Sequence, residues 1–328
     1  MNILITGAFG NIGRSTLDEL ISRNHWVRCF DLPTKTNQRR ASEYTGKVQL
    51  FWGDLTDENA LSTAMQGVDV VVHLAFVIPA LSVTGRGSED DPNWSYAVNV
   101  GGTKNMIRAI KSLEPSPQLL FTSSLHIYGR TQHMQPPRRI SDPPAPIEHY
   151  AKHKVECEHL IRESGLEWTI FRLAASLPIQ LILDENMFAV PLGNRIEFVH
   201  TRDVGLAIAN ALEASEVWGK VWHIGGGEPC QLYQHQIVEG VLEAVGVGML
   251  PEYVFTEQPY PVDWLDTEES ERVLSFQQRT LADYIQELRG KLGGWRYLIK
   301  LISPLIRAWI LLKSRLWRQK RNRLPGST

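Results

Sequence analysis

The sequence predicts an α/β fold, a doubly wound parallel sheet with a smaller C-terminal lobe and a terminal amphipathic helix. Three observations carry that prediction. Apolar runs of strand length alternate with helical patterns from the first residues to Leu173, as right-handed crossovers onto a parallel sheet require. The first run ends at three glycines, Gly7, Gly10 and Gly13, where a helical pattern begins. After Glu287 there is no acidic residue, and residues 291–328 carry ten Lys and Arg among large apolar side chains.

The elements follow in order. Asn2–Thr6 is a strand and Gly10–Arg23 a helix. Trp26–Asp31 and Val48–Trp52 are strands, Asp57–Met65 is helical, and Val68–Leu74 is a buried strand. Trp94–Leu113 reads as one long helix, Leu119–Thr122 as a strand, Tyr150–Ser164 as a helix and Glu167–Leu173 as a strand. The pattern then loosens through Phe198, and resumes with helix Val204–Glu213, strand Lys220–Ile224 and helix Leu232–Val245. Two irregular stretches, Pro79–Asn93 and Arg130–His149, are long enough to cover a cleft.

A strand, a G-x-x-G-x-x-G turn and a helix together offer backbone N–H groups and a helix N-terminus to a pyrophosphate. This is the Rossmann arrangement, and its cradle is expected at Gly7, Phe9, Gly10, Asn11, Ile12 and Gly13. Asp31 closes the second strand, where a carboxylate accepts from ribose hydroxyls and repels a 2′-phosphate. NAD is therefore favoured, and Arg39 and Arg40 leave NADP open. Asp54 and Leu55 are expected at the adenine, with helix capping by Thr56 or Asp57 as the alternative use of that turn. The expected division is a dinucleotide-binding domain over 1–173, a substrate lobe over 174–290 interleaved with the sheet, and a basic tail over 291–328.

The chemistry falls on two further segments. Phe121-Thr122-Ser123-Ser124 is a strand ending in hydroxyls, and Tyr150 and Lys154 lie four residues apart on the next helix. Side chains at that spacing share one helix face. An ammonium beside a phenol lowers the phenol pKa toward the working pH, making Tyr150 an acid or base for a hydroxyl–carbonyl pair. Ser124 would hold the substrate oxygen.

These motifs together resemble the extended short-chain dehydrogenase/reductase family, the NAD-dependent epimerase/dehydratase group, over residues 1–290. The resemblance rests on Thr6-Gly7-x-x-Gly10-x-x-Gly13, Asp54-Leu55, His73-Leu74-Ala75, Asn99-Val100-x-Gly102-Thr103, Ser123-Ser124-x-x-x-Tyr128-Gly129, Tyr150-x-x-x-Lys154 and Phe198-Val199-His200-x-x-Asp203-Val204. It implies Ser124, Tyr150 and Lys154 as a catalytic trio and Lys154 on the nicotinamide ribose. It also implies Leu74, Ala75 and Asn99 beside the cofactor, and a short helix near Asp266-Thr267 and Phe276.

Two departures bear on substrate. Arg172-Leu173 runs into Ala174-Ala175-Ser176 rather than the Arg-Pro-x-x-x-Tyr-Gly-Pro type sequence of members acting on nucleotide sugars. Leu125-His126 stands where 4,6-dehydratases place Asp-Glu. The leading expectation is an oxidoreductase moving hydride between nicotinamide and a small or lipophilic alcohol or ketone. A sugar epimerase and a non-catalytic NAD-binding scaffold at a membrane are the alternatives. His126 and Ala174 are the candidate substrate contacts.

Cys29, Cys157 and Cys230 are far apart, without metal-ligand spacing, and suit a reducing compartment. No metal and no nucleic acid are expected. The N-terminus reads as a first strand rather than a signal peptide, which points to the cytoplasm. The net charge of −2 divides into +10 on the tail and −12 on the rest. Along Trp295–Lys320, Leu298, Leu301, Ile302, Leu305, Ile306, Trp309, Ile310 and Leu316 recur at helical spacing, with Lys300, Ser303, Arg307, Arg315 and Arg318 opposite. Such a helix suits the headgroup layer at the inner face of an anionic membrane. Docking on the acidic body and homodimerisation compete with that reading.

Overall fold

The computed structural model describes residues 1–79, 84–179 and 188–321, with side chains described through residue 314. The first crossovers are β1 (Asn2–Thr6), α1 (Asn11–Ser22), β2 (Trp26–Asp31), α2 (Lys35–Ala41), β3 (Gln49–Trp52), α3 (Glu58–Met65) and β4 (Val70–His73). There follow α4 (Pro92–Tyr96), α5 (Gly102–Lys111), β5 (Gln118–Ser124), α6 (His149–Arg162) and β6 (Trp168–Leu173). The later elements are β7 (Arg195–Glu197), α7 (Thr201–Ala211), β8 (Val221–Ile224), β9 (Gln231–Tyr233) and α8 (Gln234–Val245). The chain then forms α9 (Glu268–Leu274), α10 (Leu281–Leu292), α11 (Trp295–Leu301) and α12 (Ser303–Arg321).

Seven strands form one parallel sheet in the order β3-β2-β1-β4-β5-β6-β8. Side chains alternate across it: Ile3 and Ile5 enter one core layer and Leu4 the other, all fully buried. Strands buried on both faces need apolar residues at successive positions, and Val70-Val71-Val72 supplies them. The strand order reverses between β1 and β4, which opens a crevice at their carboxyl ends. Helix α7 lies close on α1, because a Cβ at Gly205 would fall 2.6 Å from the Ser15 carbonyl oxygen.

The last strand of the sheet, β8, comes from within 174–290. Two differences have local causes. The long helix expected over Trp94–Leu113 is α4 and α5 joined by a π-helical turn at Ala97–Gly101. That turn carries Asn99, whose side-chain amide accepts from Val77 N–H at 2.7 Å and donates to its carbonyl at 3.0 Å. Leu232 belongs to β9, which pairs antiparallel with β7, before α8 begins.

The tail is two helices rather than one. The break falls at Ile302, and Pro304 sits in the first turn of α12, where a missing N–H costs nothing. The expected single apolar face also divides: Ile310 is buried against the body while Leu305 and Trp309 are exposed. Arg307, expected on the polar side, turns inward and donates to the Val247 and Gly248 carbonyls just beyond α8. The side chains of Arg315, Leu316 and Arg318 lie outside the described residues. Among the described residues, no helix is long and apolar enough to cross a membrane.

Candidate active site

The glycine turn leaves β1 with Gly7 at φ +68°, and a Cβ there would fall 2.8 Å from the Ala75 nitrogen. A Cβ on Gly13 would fall 2.3 Å from the Gly7 carbonyl oxygen. Both positions therefore demand glycine for backbone packing, independent of any ligand. Gly10 is the N-cap of α1, which has no side-chain cap among the described residues and no acidic residue in its first turn. The N–H groups of its first turn and its positive dipole end can receive an anion. Asn11 donates to the Ser176 carbonyl at 3.3 Å, tying this turn to the segment after β6, and Ile12 packs on the core.

Asp31 stands at the carboxyl end of β2, as expected, but much of its capacity is used within the protein. It accepts from Phe9 N–H at 2.9 Å, Leu32 N–H at 2.8 Å and the Asn37 amide at 2.9 Å. Burial raises its pKa, against the lowering effect of the Phe9 and Leu32 bonds and of the nearby Arg40 charge. Arg40 donates to the Phe9 carbonyl at 2.8 Å. Phe9 itself is fully buried, its ring beside Trp52 and Tyr44, so it shapes the turn from within. In the next loop Asp54 accepts from both the backbone N–H and the hydroxyl of Thr56. Asp57 caps α3. Leu55 is buried, and only glycine at 102 leaves room for it. Leu74 and Ala75 follow β4, their N–H groups bonded to the Thr6 carbonyl and hydroxyl.

Ser124 ends β5 and Tyr150 stands in the first turn of α6, near enough for the Ser124 hydroxyl to act on the phenol. The expected lowering of the Tyr150 pKa is not found. Burial pushes the phenol up to about 12, offset in part by the nearby Ser124 hydroxyl, while the Glu148 charge adds to the rise. The reason is where Lys154 points. Its Nζ donates to the Thr122 carbonyl at 2.5 Å and lies 3.5 Å from the Phe76 ring centroid, but 5.8 Å from that of Tyr150. Burial brings the lysine itself down to about 7.

The mouth of the site is aromatic. The His126 ring stands edge-on to Tyr150 and to Tyr260, at 5.8 and 5.5 Å between centroids. Its Nδ1 is 2.7 Å from a Glu148 carboxylate oxygen. Phe76 meets Tyr150 edge-on at 5.7 Å. Glu89, from the stretch covering this region, accepts from the His149 and Tyr150 N–H groups at 3.1 and 2.9 Å, capping the helix that carries the phenol. Ala174 is buried, its N–H bound to the Ile224 carbonyl. Asn99 spends its amide on Val77 and approaches His153, so it braces the wall.

Sequence reasoning missed Phe76, Glu89, Glu148 and Tyr260. Glu89 and Glu148 lay inside the two irregular stretches already marked as cleft loops, the one available signal. Tyr260 comes from the far lobe, and no spacing ties it to Tyr150.

The family model described as the NAD dependent epimerase/dehydratase family matches residues 3–176. The chain belongs to this family. Over 108 residues it is 32% identical to a 3 beta-hydroxysteroid dehydrogenase/Delta 5-->4-isomerase of Mycobacterium tuberculosis, covering 33% of this chain and 27% of that protein. Over 162 residues it is 30% identical to an N-acetyl-alpha-D-glucosaminyl-diphospho-ditrans,octacis-undecaprenol 4-epimerase of Escherichia coli O157:H7, covering 49% of this chain and 43% of that one. The chain thus spans less than half the length of either relative. In fold it is similar to a UDP-glucuronic acid 4-epimerase from Bacillus cereus solved with a substrate analogue and NAD. The TM-score is 0.75 at 20% identity, over 90% of this chain and all of that one.

Proposed function

We propose that the chain is an NAD(P)-dependent oxidoreductase acting on an alcohol or ketone. The observation that carries the reading is the placement of Ser124 at the carboxyl end of β5 beside Tyr150 in the first turn of α6, with Lys154 buried one turn further along that helix. The uncapped α1 turn fits a pyrophosphate, and Asp31, with carboxylate lone pairs beyond its internal bonds, fits an adenosine ribose. These features favour NAD. A bound nicotinamide would supply hydride acceptance and return. The protein's own part is the proton and the oxygen. A phenol held neutral by burial donates its proton to a carbonyl oxygen during reduction. Ser124 would orient that oxygen, and in oxidation Tyr150 would have to act as the phenolate, taking the proton from the alcohol. Lys154 would reach the cofactor ribose from its seat on Thr122.

His126, held by Glu148 between Tyr150 and Tyr260, would meet the substrate. The aromatic mouth suits a substrate with a substantial apolar surface. The Escherichia coli relative supports a second reading, a sugar epimerase in which the same trio removes and returns hydrogen at one carbon. We also read residues 295–320 as a peripheral contact with an anionic membrane surface.

Mass spectrometry of the nucleotide released from purified protein, with NADH and NADPH titrations, tests the cofactor. Tightly retained NAD would favour the epimerase, and freely exchanging cofactor the dehydrogenase. Tyr150→Phe should leave nucleotide binding intact and lower turnover by about 100-fold or more; wild-type turnover in this variant would sink the assignment.

A further inference from the structure

The tail helices have two working faces. On the inner face Ile310 and Ser314 are buried, Ile299, Ile306 and Leu311 pack on the core, and Arg307 binds the carbonyls after α8. This face is already occupied by the protein's own lobe. On the outer face Trp295, Leu298 and Leu301 of α11 and Leu305, Trp309 and Leu312 of α12 are exposed, reaching 78% exposure at Leu301 and 73% at Leu305. Within each helix the steps of three and four residues put these side chains on one side. A soluble surface seldom leaves so many large apolar side chains exposed without a partner.

Charge selects the partner. Lys300 is exposed on α11, and the Lys313 ammonium lies 5.6 Å from the Trp309 ring centroid. Residues 291–328 carry ten Lys and Arg and no Asp or Glu, so the tail as a whole is strongly basic. A second copy seated on the same face would bring two all-basic tails together. An anionic lipid surface would neutralise them, take up the apolar side chains, and accept tryptophan at the headgroup level.

We propose that α11 and α12 form a fixed two-sided platform, glued to the lobe by one face and seated on an anionic bilayer by the other. The inference rests on the reading of the tail as membrane-facing, and adds that binding needs no undocking of the helices. Helix α10, which leads into the platform, holds the segment after β6. Tyr284 and Lys291 of α10 bind the carbonyls of Pro178 and Ile179, in the segment whose Ser176 carbonyl receives Asn11. A seated protein would hold this segment close to the lipid, a placement suited to a substrate dissolved in the bilayer.

The test is co-sedimentation of full-length protein with phosphatidylglycerol/phosphatidylcholine vesicles and with pure phosphatidylcholine vesicles. Wild type, Leu301→Glu/Leu305→Glu and a deletion of 291–328 are compared, with light scattering of each without lipid. The proposal expects wild type on anionic vesicles only, weakened by salt, at least tenfold less binding by the double variant, and monomers in solution. Unchanged melting and NADH binding in the double variant would show that it is folded. Loss of binding on deletion but not in the double variant would overturn the platform while leaving membrane association standing. No binding by wild type would overturn both. A wild-type dimer that the double variant dissociates would assign the outer face to a second copy and overturn the proposal.

Discussion

Replacing Lys154 with methionine should remove activity and make the nucleotide-free protein more stable. Methionine keeps the length of the side chain and deletes the charge. Burial lowers the ammonium from 10.5 to about 7, a difference worth about 5 kcal/mol at ~1.4 kcal/mol per pKa unit. The attraction of the Phe76 and Phe121 ring faces and of the Thr122 carbonyl for the ammonium is already contained in that net difference. The variant should therefore gain ~4 kcal/mol at pH 6.5. Between about pH 7 and 10.5 the unfolded chain keeps a proton on this amine that the folded chain has lost. Wild-type stability therefore rises with pH across that window, and the advantage of the variant should shrink to within ~0.5 kcal/mol by pH 10. Urea unfolding followed by tryptophan fluorescence at pH 6.5, 8 and 10 measures the gap. A variant less stable than wild type at pH 6.5, or a gap unchanged by pH, would refute the reasoning. Either result would mean that packing, not the burial of charge, governs this position.

Gly13→Ala should weaken nucleotide binding by about 100-fold and destabilise the protein by ~2 kcal/mol, because the new Cβ meets the Gly7 and Ala8 carbonyl oxygens at 2.3 and 2.5 Å. Fluorescence titration with NADH and a melting curve read the two effects separately. Glu89→Ala should cost about 1 kcal/mol by uncapping α6 and speed proteolytic cleavage within residues 84–91. Cleavage at the wild-type rate would show that the cap does not hold that stretch.

Much of this site was legible in the chain. The G-x-x-G-x-x-G turn, the acid ending β2 and the hydroxyls ending β5 lie within short segments, and a parallel sheet brings every strand's carboxyl end to one edge. Tyr150 and Lys154 share a face because the helical repeat places them there. The alternation of strands and helices sufficed for the sheet, since strands buried on both faces need apolar residues throughout.

What each of those residues does was a tertiary matter. Whether Lys154 lowers the phenol pKa depends on where its ammonium lands, and the Thr122 carbonyl and the Phe76 ring capture it. Phe9 and Leu55 are expected at the cofactor, and how deeply the surrounding layers bury their side chains could not be read from spacing. Asn99 is expected near the cofactor, and only the π-helical turn shows that its amide bonds to Val77. The tail showed a wide apolar face, but periodicity cannot tell which part meets protein and which part faces outward. Contacts with α8 and the turn that follows it divided that face. The sequence by itself determined the local pattern, because helix and strand periods are properties of neighbouring residues. The tertiary structure decided burial, partner and protonation, because those depend on groups that approach from distant parts of the chain.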